Sequence, residues 1–291
     1  MSFRQLLNAC VWEVIKRTAK GFSEHDLSTY AAALAYRALF SIFPFILFLL
    51  ALLGFLHLPD FFDWLRSQAD LLLPPVAMEQ VGPVIDQLQD SQGGLMSFGI
   101  LLALWTASIG VRSLMNAMNR VYAVEESRPS WKLVLLSVAY TVGLAVMLLL
   151  AAGFMTLGPQ VMSWLASQIG MEQMLVTLWT WIRWPLAILL MMLTVALFCY
   201  ATPDVEQDFR FITPGSVVAV IVWLAASIGF GIYVQNFGNY NATYGSIGAI
   251  IVLLLYFYIS AAVLLLGAQL NATIEHASAE GKDVGDKQLE G

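Results

Sequence analysis

Seven polar residues near the ends of apolar stretches supply the groups with which this chain would bind a charged ligand. Four of them, within 112–120, follow helical spacing and share one face of a helix. Guanidinium groups bind phosphates and carboxylates through charge-assisted hydrogen bonds, so the set predicts a site for an anionic headgroup. Snorkelling and helix-end hydrogen bonding at the headgroup level would explain the same residues without a ligand. The predicted substrate-binding residues are Arg37, Arg112, Asn116, Asn119, Arg120, Gln269 and Asn271. We expect Arg37 to pair with Asp204 or with the amides of Gln269 and Asn271.

Ionisable groups are missing where coupled transport or hydrolysis would need them. Ion-coupled transporters usually carry Asp, Glu or His near mid-membrane, and the apolar stretches contain none in their interiors; His57 and Asp204 fall at stretch ends. The sequence contains no HExxH, CxxC or Walker pattern. We therefore expect neither an enzyme nor a metal site nor a cofactor.

The composition places most of the chain in lipid. Hydrophobic residues make up 59% and charged residues only 12%, against about 25% charged in soluble domains. The mean hydropathy is +0.74 and the isoelectric point about 5.0. With a net charge of −6, the chain offers no basic surface for nucleic acid.

The apolar periodicity predicts an all-α polytopic membrane protein with six transmembrane helices and additional interfacial amphipathic helices. Residues 1–22 are predicted to form an amphipathic helix, either in the membrane interface or packed on the protein itself. The connection 58–94 is predicted to be external and helical, the turn between the last two spans to be NFGNYNAT, and the tail 275–291 to be flexible. The predicted six-span domain occupies 23–274, and its spans are 38–57, 95–116, 132–156, 182–201, 213–235 and 245–271.

The distribution of Lys and Arg predicts that both termini are cytoplasmic. Bases are concentrated in the segment to residue 38 and in the connection between spans two and three, whereas the other side has only Arg66 and Arg183. The predicted location is therefore the bacterial inner membrane, with multiple passes.

Small and polar residues at helical spacing predict where helices approach one another closely. Pro44 should kink the first span, because proline removes a backbone hydrogen bond. Tyr256, Ser260 and Asn271 would alternatively face a polar cavity. The predicted packing positions are Gly99 and Gly110 in span two, and Tyr244, Gly245, Tyr256, Ser260 and Gly267 at the start of span six and within it.

Three blocks resemble the YihY / virulence factor BrkB family of bacterial inner-membrane proteins. They are AAALAYRALFSIFPFILFLLALLGF, LMNAMNRVYAVEESRPSWK and YNATYGSIGAIIVLLLYFYISAAVLLLGAQLNA. The resemblance covers about residues 25 to 275 and implies a six-span protein of poorly defined activity. Some members have carried a ribonuclease label, which the acidic balance argues against here. Gln269 stands where many relatives have Glu, which disfavours proton coupling. The family pattern falls on Ala35, Tyr36, Pro44, Asn119, Tyr122, Arg128, Pro129, Trp131, Tyr244, Gly245, Gly267, Ala268 and Asn271.

Two functions from different classes follow from these observations. The first is transport or handling of a lipid or other amphiphile in envelope maintenance, because a chargeless interior tolerates acyl chains and a basic rim attracts anionic headgroups. The second is a structural or scaffolding membrane protein without a substrate. A membrane ribonuclease ranks far below both. The expected partners are membrane lipids, with a homo-oligomer or an envelope protein as further alternatives.

Overall fold

The computed structural model describes residues 3–55, 94–169, 172–205, 213–236 and 238–276, and the regular structure in these ranges is entirely helical. This agrees with the predicted all-α class. The predicted loop at 58–94 and the tail beyond His276 lie almost wholly outside the described residues. The helices are α1 (Phe3–Glu24), α2 (Leu27–Phe55), α3 (Gly94–Val121), α4 (Ser130–Ile169), α5 (Glu172–Ala201), α6 (Pro214–Asn236) and α7 (Gly238–His276).

Five of these helices contain stretches long and apolar enough, by length and composition, to cross a membrane. Most residues in these stretches are not buried within the protein, and large apolar side chains such as Ile228 and Trp184 are exposed, as expected where lipid covers a helix. The predicted stretch at 38–57 is not among the five found in the described residues, although α2 contains it as far as Phe55. The five stretches are Ile100–Val121, Ser130–Ala151, Thr177–Ala201, Pro214–Val234 and Ile250–His276.

One predicted turn is shorter in the structure than the sequence indicated. The predicted turn NFGNYNAT is wrong for most of its length, because α6 ends at Asn236 and α7 already begins at Gly238. The segment between the third and fourth predicted spans is helical where the structure describes it, since α4 continues to Ile169 and α5 begins at Glu172. Backbone groups in an apolar environment must bond internally, which favours helix over open turns.

The helices pack as antiparallel neighbours in chain order. Gly110 of α3 lies against Ser41 of α2, and the Tyr140 hydroxyl of α4 donates to the carbonyl of Ala201 in α5 at 2.7 Å. α2 also packs on α7, and α1 packs on the end of α7. As a result, α1 and the end of α7 lie at the same end of the bundle.

α6 and α7 approach closely at two glycines, one of which is the predicted packing position Gly267. A Cβ added at Gly215 would collide with the Gly267 carbonyl oxygen, and one added at Gly267 would lie 2.6 Å from the Ala219 Cβ. Only glycine permits such a crossing, as expected at small-residue contacts in membranes.

Candidate functional site

One end of the bundle collects most of the polar side chains that the sequence singles out. The α1–α2 turn, the end of α3, the residues after α5, the start of α6 and the last turns of α7 meet there. The Lys and Arg distribution predicts that this end faces the cytoplasm.

The largest polar group at this end we name the Arg128 cluster. Arg128 donates through Nε and Nη2 to the two carboxylate oxygens of Glu126, at 2.7 and 2.9 Å. Its Nε lies 3.5 Å from Asp204 Oδ1, and Nη2 also donates to the carbonyl of Thr202 at 3.0 Å. The Arg128 cluster consists of Asn119, Glu126, Ser127, Arg128 and Asp204.

Asn119 and Ser127 complete the hydrogen bonding of the two carboxylates. Asn119 Nδ2 donates to Glu126 at 2.9 Å, while its Oδ1 accepts from the Asp204 backbone N–H at 2.7 Å. The backbone N–H of Ser127 donates to Asp204 Oδ2 at 2.8 Å. The cluster therefore ties the α3–α4 connection to the end of α5.

Burial and hydrogen bonding oppose each other at Glu126. Burial alone would raise the pKa of its carboxyl group, but hydrogen bonds from Arg128 and Asn119, together with the Arg128 charge, leave the pKa below its ordinary value. At Arg128, burial would lower the pKa, yet the two carboxylates raise it above the ordinary value. Both groups are consequently held in their charged forms.

The end of α3 positions Asn119 through a Schellman motif. The N–H of Val124 donates to the Asn119 carbonyl at 3.0 Å, and the N–H of Ala123 donates to the Arg120 carbonyl at 3.1 Å. Ala123 has φ 55°, the left-handed conformation that this motif requires. The motif reverses the chain so that Glu126 folds back onto Asn119.

Gln269 is buried where α1 meets α7. Its Oε1 lies 3.2 Å from His25 Nδ1, and its Nε2 lies 3.5 Å from Thr273 Oγ1. Gly21 of α1 packs directly on this amide, since an added Cβ would lie 2.5 Å from Nε2. Gln269 thus fastens the end of α1 to α7.

Asn271 caps the start of α6. Its Oδ1 accepts from the Gly215 N–H at 2.8 Å, and its Nδ2 donates to Thr213 Oγ1 at 3.0 Å. Thr213 and Ser216 bond each other's backbone N–H groups reciprocally, at 3.2 and 3.1 Å, in the manner of a capping box. The Asn271 amide therefore satisfies the Gly215 N–H, which no intrahelical partner can reach.

The other predicted ligand residues face outward. Arg112, Asn116 and Arg120 are spaced by four along α3 and form one stripe, which we name the basic ladder. Arg112 lies over the Trp105 ring, 5.2 Å from its centroid, and Arg120 Nε approaches the His25 carbonyl oxygen at 3.4 Å. Asn116 and Arg120 are exposed and Arg112 is half-buried.

Arg37 does not make the predicted pairs. Its side chain is exposed, whereas Asp204 bonds Ser127 and Arg128 and the two α7 amides bond other partners. The prediction is wrong because Ser127 and Arg128, in the connection after α3, are the residues that bond Asp204. Arg37 is exposed, as are Asn116 and Arg120 of the basic ladder.

The packing interpretation of Tyr256 and Ser260 agrees with the structure. Ser260 Oγ accepts from Trp223 Nε1 at 3.0 Å, and the Tyr256 hydroxyl lies 3.1 Å from Ser227 Oγ; both bonds join α6 to α7. Pro44 lies inside the continuous helix α2. Gly99, Tyr244 and Gly245 lie within helices, but their surroundings fall outside the side chains described.

Several participants were not predicted as site residues, among them His25, Glu126, Ser127, Thr213 and Gly215. The Thr213-Pro-Gly-Ser216 sequence offered a usable signal, because it matches a helix start with proline at the first position. In the described part of the chain, no group of three His, Cys, Asp or Glu residues is placed to hold a metal ion.

The comparison with protein families assigns the chain. The family model described as Virulence factor BrkB matches residues 18–289. The chain belongs to this BrkB family. Membership agrees with the resemblance of the three sequence blocks, which include Asn119, Arg128, Gly267 and Asn271.

Curated proteins similar in sequence to this BrkB-family chain carry two kinds of name. It is 34% identical, over 89% of its length and 94% of the relative's, to the ribonuclease-like protein YfkH of Bacillus subtilis. It is 26% identical, over 87% of its length, to a UPF0761 membrane protein of Xanthomonas oryzae and to another of Xanthomonas axonopodis. The chain spans 58% and 59% of the length of these two Xanthomonas relatives. No solved structure matches.

Proposed function

We propose that this BrkB-family membrane protein binds an anionic amphiphile at the basic ladder and moves it across the bilayer. The single observation that carries the proposal is the outward stripe of α3. Below the ladder the same stripe continues as exposed apolar residues, Leu102, Trp105 and Ile109. Leu102 and Arg112 are separated by about 15 Å of helix, which is half of an apolar core about 30 Å thick. The stripe therefore matches one lipid leaflet, with a headgroup at the ladder and an acyl chain below it.

The other predicted ligand residues bond partners within the protein, which supports the basic ladder as the ligand-binding surface. Asn119, Gln269 and Asn271 each bond a partner within the protein, so their hydrogen-bonding groups are occupied. Asn116, Arg120 and Arg37 are exposed and Arg112 is half-buried, and of these Arg120 also donates through Nε to the His25 carbonyl. A phosphate at this level would gain charge-assisted hydrogen bonds from the guanidinium groups.

The proposal includes a topology. Six helices, α2 to α7, cross the bacterial inner membrane, and both termini are cytoplasmic. α2 supports this because its 29 residues pack along both α3 and α7 and extend over about 44 Å. The location of α1 and the end of α7 at one end of the bundle is what an even number of crossings requires.

Movement of lipid can be measured directly in proteoliposomes. Vesicles containing fluorophore-labelled phosphatidylglycerol are treated with membrane-impermeant dithionite, which quenches only the outer leaflet. We expect the wild-type protein to expose the inner leaflet to quenching and Arg112→Gln/Arg120→Gln to slow this strongly. Lys132→Gln, which removes an exposed charge at the start of α4, is the matched control.

Native mass spectrometry separates binding from transport. We expect retention of anionic over zwitterionic phospholipid, and its loss in the Arg112/Arg120 variant. Quenching equal to protein-free vesicles would refute transport, and unchanged lipid retention in the variant would refute the headgroup site. Both results together would leave the scaffolding function.

We also propose that the protein is not a hydrolase and needs no cofactor. The name of YfkH describes that relative, and the net charge of −6 here disfavours RNA. The purified protein should leave labelled RNA intact with or without divalent metal ions. Cleavage that survives purification but is lost on heat denaturation would overturn this.

A further inference from the structure

The N-terminal helix α1 has three distinct sides, and the structure accounts for only one of them. At about 100° per residue, the sides follow one another round the helix as a packed side, an exposed apolar side and a charged side. The packed side contains the buried Thr18 and Gly21. The apolar side contains Trp12, Ile15 and Ala19, and the charged side contains Glu13, Lys16, Arg17, Lys20 and Glu24.

The packed side fixes where α1 lies along the bundle. Gly21 seats on Gln269, and the adjoining His25 bonds the same amide. Gln269 belongs to the last turns of the apolar stretch Ile250–His276. The seat is therefore at the end of a spanning stretch, where the apolar core of a bilayer gives way to headgroups.

The apolar side is exposed, and it is small for a protein–protein interface. Trp12 is 68% exposed and Ile15 is 51% exposed. An aromatic residue covers about 150–250 Å², so the three apolar side chains among the described residues 12–24 provide a few hundred Å², whereas a stable protein interface needs about 800 Å² from each partner. A second copy of the chain is therefore a poor match for this surface.

The charged side suits a helix lying in the plane of a membrane. Arg17 and Lys20 pair with Glu13 and Glu24 at 3.0 and 3.2 Å, and Lys16 borders the apolar side. Interfacial helices place Trp and aliphatic residues toward the acyl chains and lysines at the headgroups, and lysine stems reach along apolar surface while the ammonium remains in water.

We propose that α1 docks on the bilayer surface, with Trp12, Ile15 and Ala19 inserted at the boundary between headgroups and acyl chains. The contact is independent of the proposed ligand site on α3. It holds the end of the bundle at a fixed depth, because the same helix is seated on α7. The occupant of the apolar side is lipid itself, not a second copy or a soluble protein.

The test places an environment-sensitive fluorophore on each side of α1 in the full-length protein. Cys10→Ser and Cys199→Ala provide a cysteine-free background, whose melting temperature is first compared with the wild type. NBD is then attached at Trp12→Cys, at Ile15→Cys, which retains Trp12, or at Arg17→Cys on the charged side as the matched control. Each protein is reconstituted into nanodiscs with and without phospholipid spin-labelled near the top of the acyl chain.

We expect blue-shifted NBD emission at positions 12 and 15 and quenching by the spin-labelled lipid several-fold stronger than at position 17. In the Ile15→Cys reporter, adding Trp12→Glu should weaken the quenching, because a carboxylate resists insertion. Red-shifted emission at 12 and 15, equal to that at 17, would overturn the proposal by placing the apolar side in water. Blue-shifted emission without lipid quenching would also overturn it, since protein would then cover this side.

Discussion

Asn271 shows how one side chain can cap a helix in the structure while resembling a ligand residue in the sequence. Its amide is bonded to both Gly215 and Thr213 at the start of α6. We expect Asn271→Ala to destabilise the protein by about 1–3 kcal/mol, because it leaves a part-buried N–H without an acceptor. That corresponds to several degrees in melting temperature, at about 2–4 °C per kcal/mol.

Asn271→Asp provides the conservative comparison. The carboxylate still accepts from the Gly215 N–H and can accept from the Thr213 hydroxyl, and a negative charge at a helix N-terminus is favourable. We expect most of the stability to be retained, as measured by thermal unfolding in detergent. Asn116→Ala, at an exposed position, is the control and should change little. Equal losses in the Ala and Asp variants would contradict the capping role.

At the scale of the element, the end of α3 is set by one strained residue. Ala123 adopts φ 55° in the Schellman position usually occupied by glycine. A non-glycine residue in this conformation costs about 1–2 kcal/mol. We expect Ala123→Gly to stabilise the protein by about 0.5–1 kcal/mol, after the entropic cost of glycine is deducted.

The matched control is Ala139→Gly, on the exposed face of α4. Residue 139 lies within a helix, where glycine is less favourable than alanine. The substitution there should lower the melting temperature or leave it unchanged. Opposite signs for the two variants in one thermal-unfolding assay would confirm the strained helix end. A loss of stability at both positions would show that the left-handed residue is not strained.

The elements also show what could be predicted from the sequence. Apolar periodicity predicted the helical class, and the spacing of small residues identified Gly110 and Gly267 as close contacts. The turn predicted at 236–243 was too long, because Gly and Asn are poor helix formers in water and yet remain helical in α7. In a membrane the requirement for internal backbone bonding outweighs that propensity.

The pairing of the charged groups could not be predicted from the sequence, for a different reason. Asp204 and Arg37 fell at the same predicted depth, but depth does not say which group is nearest. The reversal at Ala123 brings Ser127 and Arg128 onto Asp204. Such proximity depends on the path of a short connection, which periodicity does not encode.

For the whole molecule, the Arg128 cluster is the polar joint that links the α3–α4 connection to the end of α5, and it makes stability depend on pH. The pKa of Glu126 is lowered in the folded protein from its ordinary value of 4.5. A carboxyl group with a lowered folded pKa stabilises the fold above its unfolded pKa, and this contribution is lost as the pH falls through the folded pKa. We therefore expect the melting temperature to fall as the pH is lowered below about 4.5, beyond the general effect of acid.

Glu126→Gln isolates this contribution. The neutral amide cannot form an ion pair with Arg128, so the variant should have a lower melting temperature than the wild type at pH 7. Its melting temperature should also fall less than that of the wild type when the pH is lowered. Glu125→Gln, at the exposed neighbouring position, removes the same charge outside the cluster and should follow the wild-type pH dependence. Thermal unfolding of all three proteins in one detergent from pH 7 to pH 3 would decide the matter. If the Glu126 variant lost as much stability in acid as the wild type, the joint would not depend on the Glu126 charge.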